Sequence, residues 1–225
     1  MTMPGVFVTG TDTEIGKTVV ARAIARTWVK QGFRVAGMKP VASGCRPTPA
    51  GLRSDDALAL RSVCNVPAAY EVMNPYAFEP AIAPHIAARR SGTTVELGRI
   101  QDAFEELAAR ADRVVVEGVG GWLVPLGERL TVADLAVRLA LPVVLVVGVR
   151  LGCLNHALLT CQSISARGCS LAGWIANHCD PECDAAAEIV ASLRARLPAR
   201  LCAELPWMED RGDAAVVHIR EPLTE

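Results

Sequence analysis

Short apolar runs alternate along the chain with stretches whose apolar residues recur every three or four positions, the order of parallel strands joined by helices. Val6-Phe7-Val8 is the first run, and the helical pattern after it covers residues 17–31, with Val20, Ile24, Thr27 and Trp28 on one face and a stop at Gly32. Residues 33–38, 114–116, 142–147, 171–176 and 201–205 read as further strands. Helices are expected over 57–63, from Pro84 through His85, Ile86 and Ala87, over 97–111 with Ile100, Phe104 and Leu107 inward, over 131–140, over 152–168 and over 184–197. Residues 47–53 read as a loop, and the proline-rich, aperiodic segment 65–84 as a long irregular connection over the binding face. The charged tail from Glu209 shows no assignable pattern. The order predicts an α/β fold, a mostly parallel sheet flanked by helices in three α/β/α layers.

Composition narrows this picture. The 225 residues are expected to form one domain, 1–225, because no long linker or charge block divides them. Hydrophobic residues make up 51% and aromatics 4%, so the core is expected to be built from Ala, Val and Leu. A net charge of −1 gives no reason to expect nucleic acid or an acidic membrane as partner. The most apolar run, 139–149, contains Pro142 and is too short to span a bilayer, and no basic-then-apolar leader opens the chain; a cytoplasmic location is expected. The eight cysteines are scattered and read as thiols, most of them small apolar fillers.

The densest chemistry lies in Gly10-Thr11-Asp12-Thr13-Glu14-Ile15-Gly16-Lys17-Thr18. A strand, a glycine-bounded loop and a helix start make a phosphate-binding loop: unpaired amides and the positive helix end surround a polyphosphate, Lys17 adds a cation, and Thr18 adds a hydroxyl for a bridging magnesium ion. Five residues separate Gly10 from Gly16, one more than in the strict motif. Asp12 and Glu14 are unusual beside phosphate and are expected to face a cation or a positively charged substrate.

Other candidates lie at strand ends, where ligands collect in open parallel sheets. Lys39 and Ser43, in Lys39-Pro40-Val41-Ala42-Ser43-Gly44, project toward the crevice of Lys17 unless Lys39 is a surface lysine before a turn. One of Ser54, Asp55 and Asp56 caps the following helix, and Asp56 is the alternative metal ligand. Glu117 closes an apolar strand before Gly118-Val119-Gly120-Gly121, the position of a magnesium-associated acid. Gly152-Cys153-Leu154-Asn155 opens a helix whose amides suit a carboxylate. Asn177 offers a donor and an acceptor to a purine edge, or is a turn residue. His85 reads as a packed or capping residue.

With these stretches in place, and with Asp56-Ala57-Leu58-Ala59-Leu60, Asn74-Pro75-Tyr76, Pro84-His85, Ala172-Gly173-Trp174-Ile175-Ala176-Asn177 and Pro206-Trp207 beside them, the chain resembles the dethiobiotin synthetases. The resemblance implies a homodimeric P-loop enzyme that joins 7,8-diaminononanoate to carbon dioxide with ATP and Mg2+, closing the ureido ring of dethiobiotin in biotin biosynthesis. It implies Lys39 and Lys17 as catalytic lysines and Thr18, Asp56 and Glu117 as metal positions. Glu14, Ile15, Gly16, Lys17, Thr18 and Val19 would line the ATP phosphates, with Gly118, Val119 and Gly120 nearby. Thr13 and Ser43 would meet the substrate, whose carboxylate would reach Gly152, Cys153, Leu154 and Asn155 across the dimer interface. Asn177, His178, Pro206, Trp207 and Met208 fall at adenine positions, with His178 where an acidic residue commonly stands. Rival readings are a related P-loop amidoligase, which would need an ammonia source, and a partition-type ATPase switch, which usually carries a lysine where Thr11, Asp12 and Thr13 stand here.

Overall fold

The computed structural model of the chain describes residues 5–207. Strand β1 (Gly5–Gly10) leads to helix α1 (Lys17–Lys30) and β2 (Val35–Met38). Three short strands follow, β3 (Val41–Ser43), β4 (Arg46–Thr48) and β5 (Gly51–Arg53), then α2 (Asp55–Arg61), α3 (Tyr70–Met73), β6 (Tyr76–Phe78), α4 (Pro84–Arg90) and α5 (Leu97–Ala108). The second half alternates: β7 (Arg113–Glu117), α6 (Val132–Leu139), β8 (Val143–Val149), α7 (Cys153–Ala166), β9 (Leu171–His178), α8 (Ala186–Arg196) and β10 (Leu201–Leu205).

Six strands form one parallel sheet in the order β10-β9-β8-β1-β7-β2. Residues of its strands alternate between two cores. On one face Phe7, Val114, Val116, Val143, Leu145 and Trp174 pack against α5, α6, α7 and α8. On the other, Val6, Val8, Val115, Val144, Val146 and Ile175 pack against α1, α2 and α3. Both faces are covered, which is why the strands read as unbroken apolar runs.

Three expectations are corrected. Residues 47–53 are not a plain loop: Arg46–Thr48 and Gly51–Arg53 pair as an antiparallel hairpin. The connection 65–84 is not wholly irregular either, since it holds α3 and β6, and β6 pairs parallel with β3 from Val41↔Tyr76 to Ser43↔Phe78. A three-residue strand whose partner lies far along the chain leaves no period to read. Strand β9 also runs on to His178, because its backbone continues to pair with β8 as far as Val149↔His178, so Asn177 lies within the strand.

Local chemistry explains several boundaries. Ser54, rather than either aspartate, caps α2, accepting a hydrogen bond from the Ala57 amide at 3.3 Å. Pro84 occupies the first turn of α4, where its missing N–H costs nothing. Thr131 and Asp134 form a reciprocal capping box on α6.

Candidate active site

The phosphate loop leaves the C-terminal end of β1, which lies between β8 and β7 in the sheet, and enters α1 through Gly16. Gly16 has φ 87°, and a side chain there would meet the Asn177 amide nitrogen at 2.3 Å. No side chain caps α1, so its first amides face the cleft unpaired by any capping group. Glu14 holds a left-handed φ of 58°, a strained conformation for a non-glycine residue in the middle of this loop.

A cleft of about 780 Å³ opens over this corner of the sheet. Thr13, Glu14, Gly16, Lys17, Thr18 and Val19 line it from the loop, Lys39 and Ser43 from the β2–β3 corner, Asp56 from α2, and Glu117, Val119 and Gly120 from the end of β7. Residues from four separate corners thus meet in one space, as expected at the carboxyl ends of parallel strands. The Lys39 ammonium lies 2.6 Å from Glu117 Oε1 and 2.9 Å from Asp56 Oδ2, and donates also to the Gly118 carbonyl at 3.1 Å. The Thr18 hydroxyl stands 2.8 Å from Asp56 Oδ1 and 2.7 Å from Glu117 Oε1. Lys17 donates to the Asp12 carbonyl at 2.7 Å. Asp55 takes no part in this cluster, being paired at the surface with Arg46.

The charges in the cluster set one another. Burial pushes Glu117 above the ordinary carboxylate range, with Lys39 opposing it. Burial works against both Lys39 and Asp56 as ions, but their mutual attraction and that of Glu117 for Lys39 outweigh it, so Lys39 is raised and Asp56 lowered. Lys17 has no such partner close by, and burial, followed by repulsion from Lys39, brings it down to about 8.

The oxygen donors fit a small hard cation. Thr18, Asp56 and Glu117 converge, and Glu117 Oε2 is buried with no hydrogen-bond partner. Among the described residues no three His, Cys, Asp or Glu side chains gather as a complete cage; two carboxylates and a hydroxyl suit Mg2+, which takes its remaining positions from phosphate and water.

The remaining candidates lie elsewhere. Gly152, Cys153, Leu154 and Asn155 do not line the cleft of their own chain; Cys153 is buried, and Leu151 beside them is 93% exposed. Asn177 sits behind the phosphate loop, its amide nitrogen donating to the Ile15 carbonyl at 2.7 Å, so that donor is engaged within the chain. His178 Nε2 lies 2.8 Å from Glu204 Oε1. Leu205 pairs with Asn177, so Pro206 and Trp207 leave the sheet beside the end of β9; Met208 lies outside the described residues. Asp12 does face a cation, as its position in the loop led us to expect, but that cation is Arg150 of the β8–α7 turn.

Sequence reasoning gave no role to two parts of the site. Ala81, Ile82, Ala83, Pro84 and Val124 form its apolar walls, and nothing in their residue types marks them. Asn74, 3% exposed, donates to the Lys39 carbonyl at 2.6 Å and accepts from the Tyr70 hydroxyl, which in turn receives the Ser54 amide. In the sequence, Asn74 and Pro84 stood out only as members of the stretches Asn74-Pro75-Tyr76 and Pro84-His85, with no role attached.

A parallel sheet whose first strand feeds a glycine-bounded loop and an uncapped helix, with an acid at the end of the adjoining strand, defines a P-loop nucleotide-binding α/β protein. Solved structures agree at the level of fold: a ParA family ATPase from Chlorobium tepidum TLS (TM-score 0.54, 14% identity, 92% of this chain and 86% of that one) and the MinD cell division protein of Aquifex aeolicus (TM-score 0.55, 14% identity, 91% and 82%). The AAA domain family matches residues 4–215. The chain is 54% identical over 215 residues to the ATP-dependent dethiobiotin synthetase BioD of Pseudomonas paraeruginosa (strain DSM 24068 / PA7), covering 95% of this chain and 94% of that one. It is 47% identical over 223 residues to the protein of that name in Xanthomonas campestris pv. campestris (strain ATCC 33913 / DSM 3586 / NCPPB 528 / LMG 568 / P 25), covering 99% and 100%. The chain belongs to the dethiobiotin synthetase family.

Proposed function

We propose that this chain is an ATP-dependent dethiobiotin synthetase of biotin biosynthesis, joining 7,8-diaminononanoate and carbon dioxide with ATP as co-substrate in the cleft above β1, β2 and β7. The convergence of Lys17, Thr18, Lys39, Asp56 and Glu117 on that one cleft supports this reading most directly.

One amine of the diamine adds carbon dioxide and loses a proton, giving a carbamate anion. Its oxygen attacks the γ-phosphorus, the bond to the β-phosphate oxygen breaks, and ADP leaves with the bonding pair. The second amine then attacks the carbamoyl carbon, expels phosphate and closes the ring as it loses its proton. Two anions must approach each other in the phosphoryl step, so cationic groups count most where that charge concentrates. The loop amides and Lys17 hold the triphosphate, and Lys39 faces the point where carbamate and γ-phosphate meet. Bound Mg2+ would supply charge neutralisation at the β- and γ-phosphate oxygens, and Thr18, Asp56 and Glu117 would hold it. Thr13 and Ser43 orient the diamine; the buried, unpartnered Ser43 hydroxyl is free to do so. Keeping both amines and the anhydride in one pocket makes ring closure intramolecular. Asn177, His178, Pro206, Trp207 and Met208 are assigned to the adenine end.

The family resemblance assigns the substrate carboxylate to Gly152–Asn155 of a second copy, and these residues do lie outside their own chain's cleft. The homodimer, the Mg2+ requirement and a cytoplasmic location belong to the same reading. No helix among the described residues is long and apolar enough to cross a membrane.

The test is release of ADP that requires both diaminononanoate and bicarbonate; turnover dependent on glutamine, or stimulated by DNA, would replace the reading with one of its rivals. Within it, Lys39→Ala is expected to lower kcat by at least about a hundredfold with little change in ATP affinity. Equal losses in both would make Lys39 a nucleotide ligand.

A further inference from the structure

The ammonium of Lys39 has three N–H donors, and all three are engaged: with Glu117 Oε1 at 2.6 Å, Asp56 Oδ2 at 2.9 Å and the Gly118 carbonyl at 3.1 Å. None is left for a phosphate or a carbamate. The Thr18 hydroxyl has one proton yet stands within 2.8 Å of both carboxylates. It can donate to one, so its contact with an ionised second carboxylate is oxygen against oxygen, which positive charge beside it offsets. Lys39, 2% exposed, is the cation in direct contact with both acids, and the second oxygen of Glu117 is buried without any partner. The carboxylates that hold Lys39 are the ones assigned to the metal, so both cations draw on the same two negative charges.

We propose that Lys39 is an internal counter-ion that keeps Asp56 and Glu117 together in the metal-free protein and is displaced when a divalent cation binds those carboxylates. Displacement releases its N–H donors into the cleft, toward the reacting anions. Lys39 thus becomes available for the phosphoryl step only after the metal position is filled, which orders metal binding ahead of catalysis. This inference rests on the assignment of Thr18, Asp56 and Glu117 to the metal.

The experiment is a Mn2+ titration of the full chain followed by electron paramagnetic resonance, with and without a non-hydrolysable ATP analogue, for the wild type and Lys39→Met. Removing a competing cation from two carboxylates is expected to tighten nucleotide-free Mn2+ binding by at least about ten-fold. It should also leave a metal-free variant of lowered melting temperature that Mn2+ restores. Equal or weaker Mn2+ binding by Lys39→Met overturns the exchange while leaving the metal assignment standing. Absence of Mn2+ binding by the wild type, even with the analogue, overturns the metal assignment and the exchange with it. If the variant does not fold, the wild-type protein labelled with 15N at lysine Nζ answers the question. The buried ammonium resonance should shift on Mg2+ addition, and an unmoved resonance at saturating Mg2+ overturns the exchange.

Discussion

At the scale of single residues, the two buried lysines differ in what compensates them. Lys39 sits between two carboxylates, whereas Lys17 is buried against a carbonyl and repelled by Lys39, which brings it from 10.5 to about 8. A folded-state value below the unfolded one means that the unfolded chain binds more protons between those two pH values, so stability rises with pH across that window. Below about pH 8 the buried charge is a standing cost. Lys17→Met is therefore expected to stabilise the ligand-free, metal-free protein at pH 7, by up to about 3 kcal/mol, and to lose that advantage by about pH 10. It should abolish ATP binding at the same time. Denaturant melts at the two pH values check the first statement, and a variant less stable than the wild type at pH 7 would refute it. Lys17, Thr18 and Gly16 were legible as a site from spacing alone. Asn74 was not, because its importance lies in a hydrogen bond to the Lys39 backbone that no local pattern announces.

At the scale of elements, the phosphate loop depends on a neighbour distant in sequence. The Asp12 side chain accepts from the Thr13 amide at 2.7 Å and pairs with Arg150, while its carbonyl holds Lys17. Both members of the ion pair are substantially exposed, so it adds little to stability but restrains the loop. Arg150→Ala is expected to leave the melting temperature within about 2 °C and to raise KM for ATP several-fold; an unchanged KM would show that the loop holds its shape unaided. Helix α6 gives a pH-dependent case. Burial opposes ionisation of Asp134, but the Thr131 hydroxyl and amide, joined by the Arg167 guanidinium, outweigh it and hold the carboxyl below its ordinary 3.8. Its contribution is present above that value and is lost as pH falls through the folded-state value. Asp134→Asn should cost about 1 kcal/mol at pH 7 and nothing measurable once the wild-type carboxyl is protonated, as urea melts at pH 7 and at a pH low enough to protonate it would report. A constant difference at both pH values would mean that packing, not charge, is responsible.

At the scale of the whole molecule, one face beside the phosphate loop is apolar and open. Leu123 (53% exposed) and Leu159 (56%) stand there, lining a groove of about 410 Å³ between Thr11–Thr13 and α7. We propose that the homodimer is built on this face and brings Gly152–Asn155 of one copy to the cleft of the other. The wild type is expected to sediment as a dimer at micromolar concentration. Leu159→Arg should give a folded monomer with KM for diaminononanoate raised at least about ten-fold. A monomeric wild type with full activity would remove the second copy from the site.

The sequence by itself determined the alternation of strands and helices, the two-faced parallel sheet and the phosphate loop, because each is written in local spacing: apolar runs, a helical period, a glycine-bounded turn before Lys17-Thr18. It also contained the motifs that mark the family. Only the tertiary structure chose Asp56 over Asp55 for the cluster, turned Asp12 toward Arg150, paired β3 with β6, and set Gly152–Asn155 outside their own cleft. The first three depend on groups tens of residues apart meeting at hydrogen-bond distance, and such meetings, like the placing of Gly152–Asn155, follow from how the layers pack and leave no period in the chain.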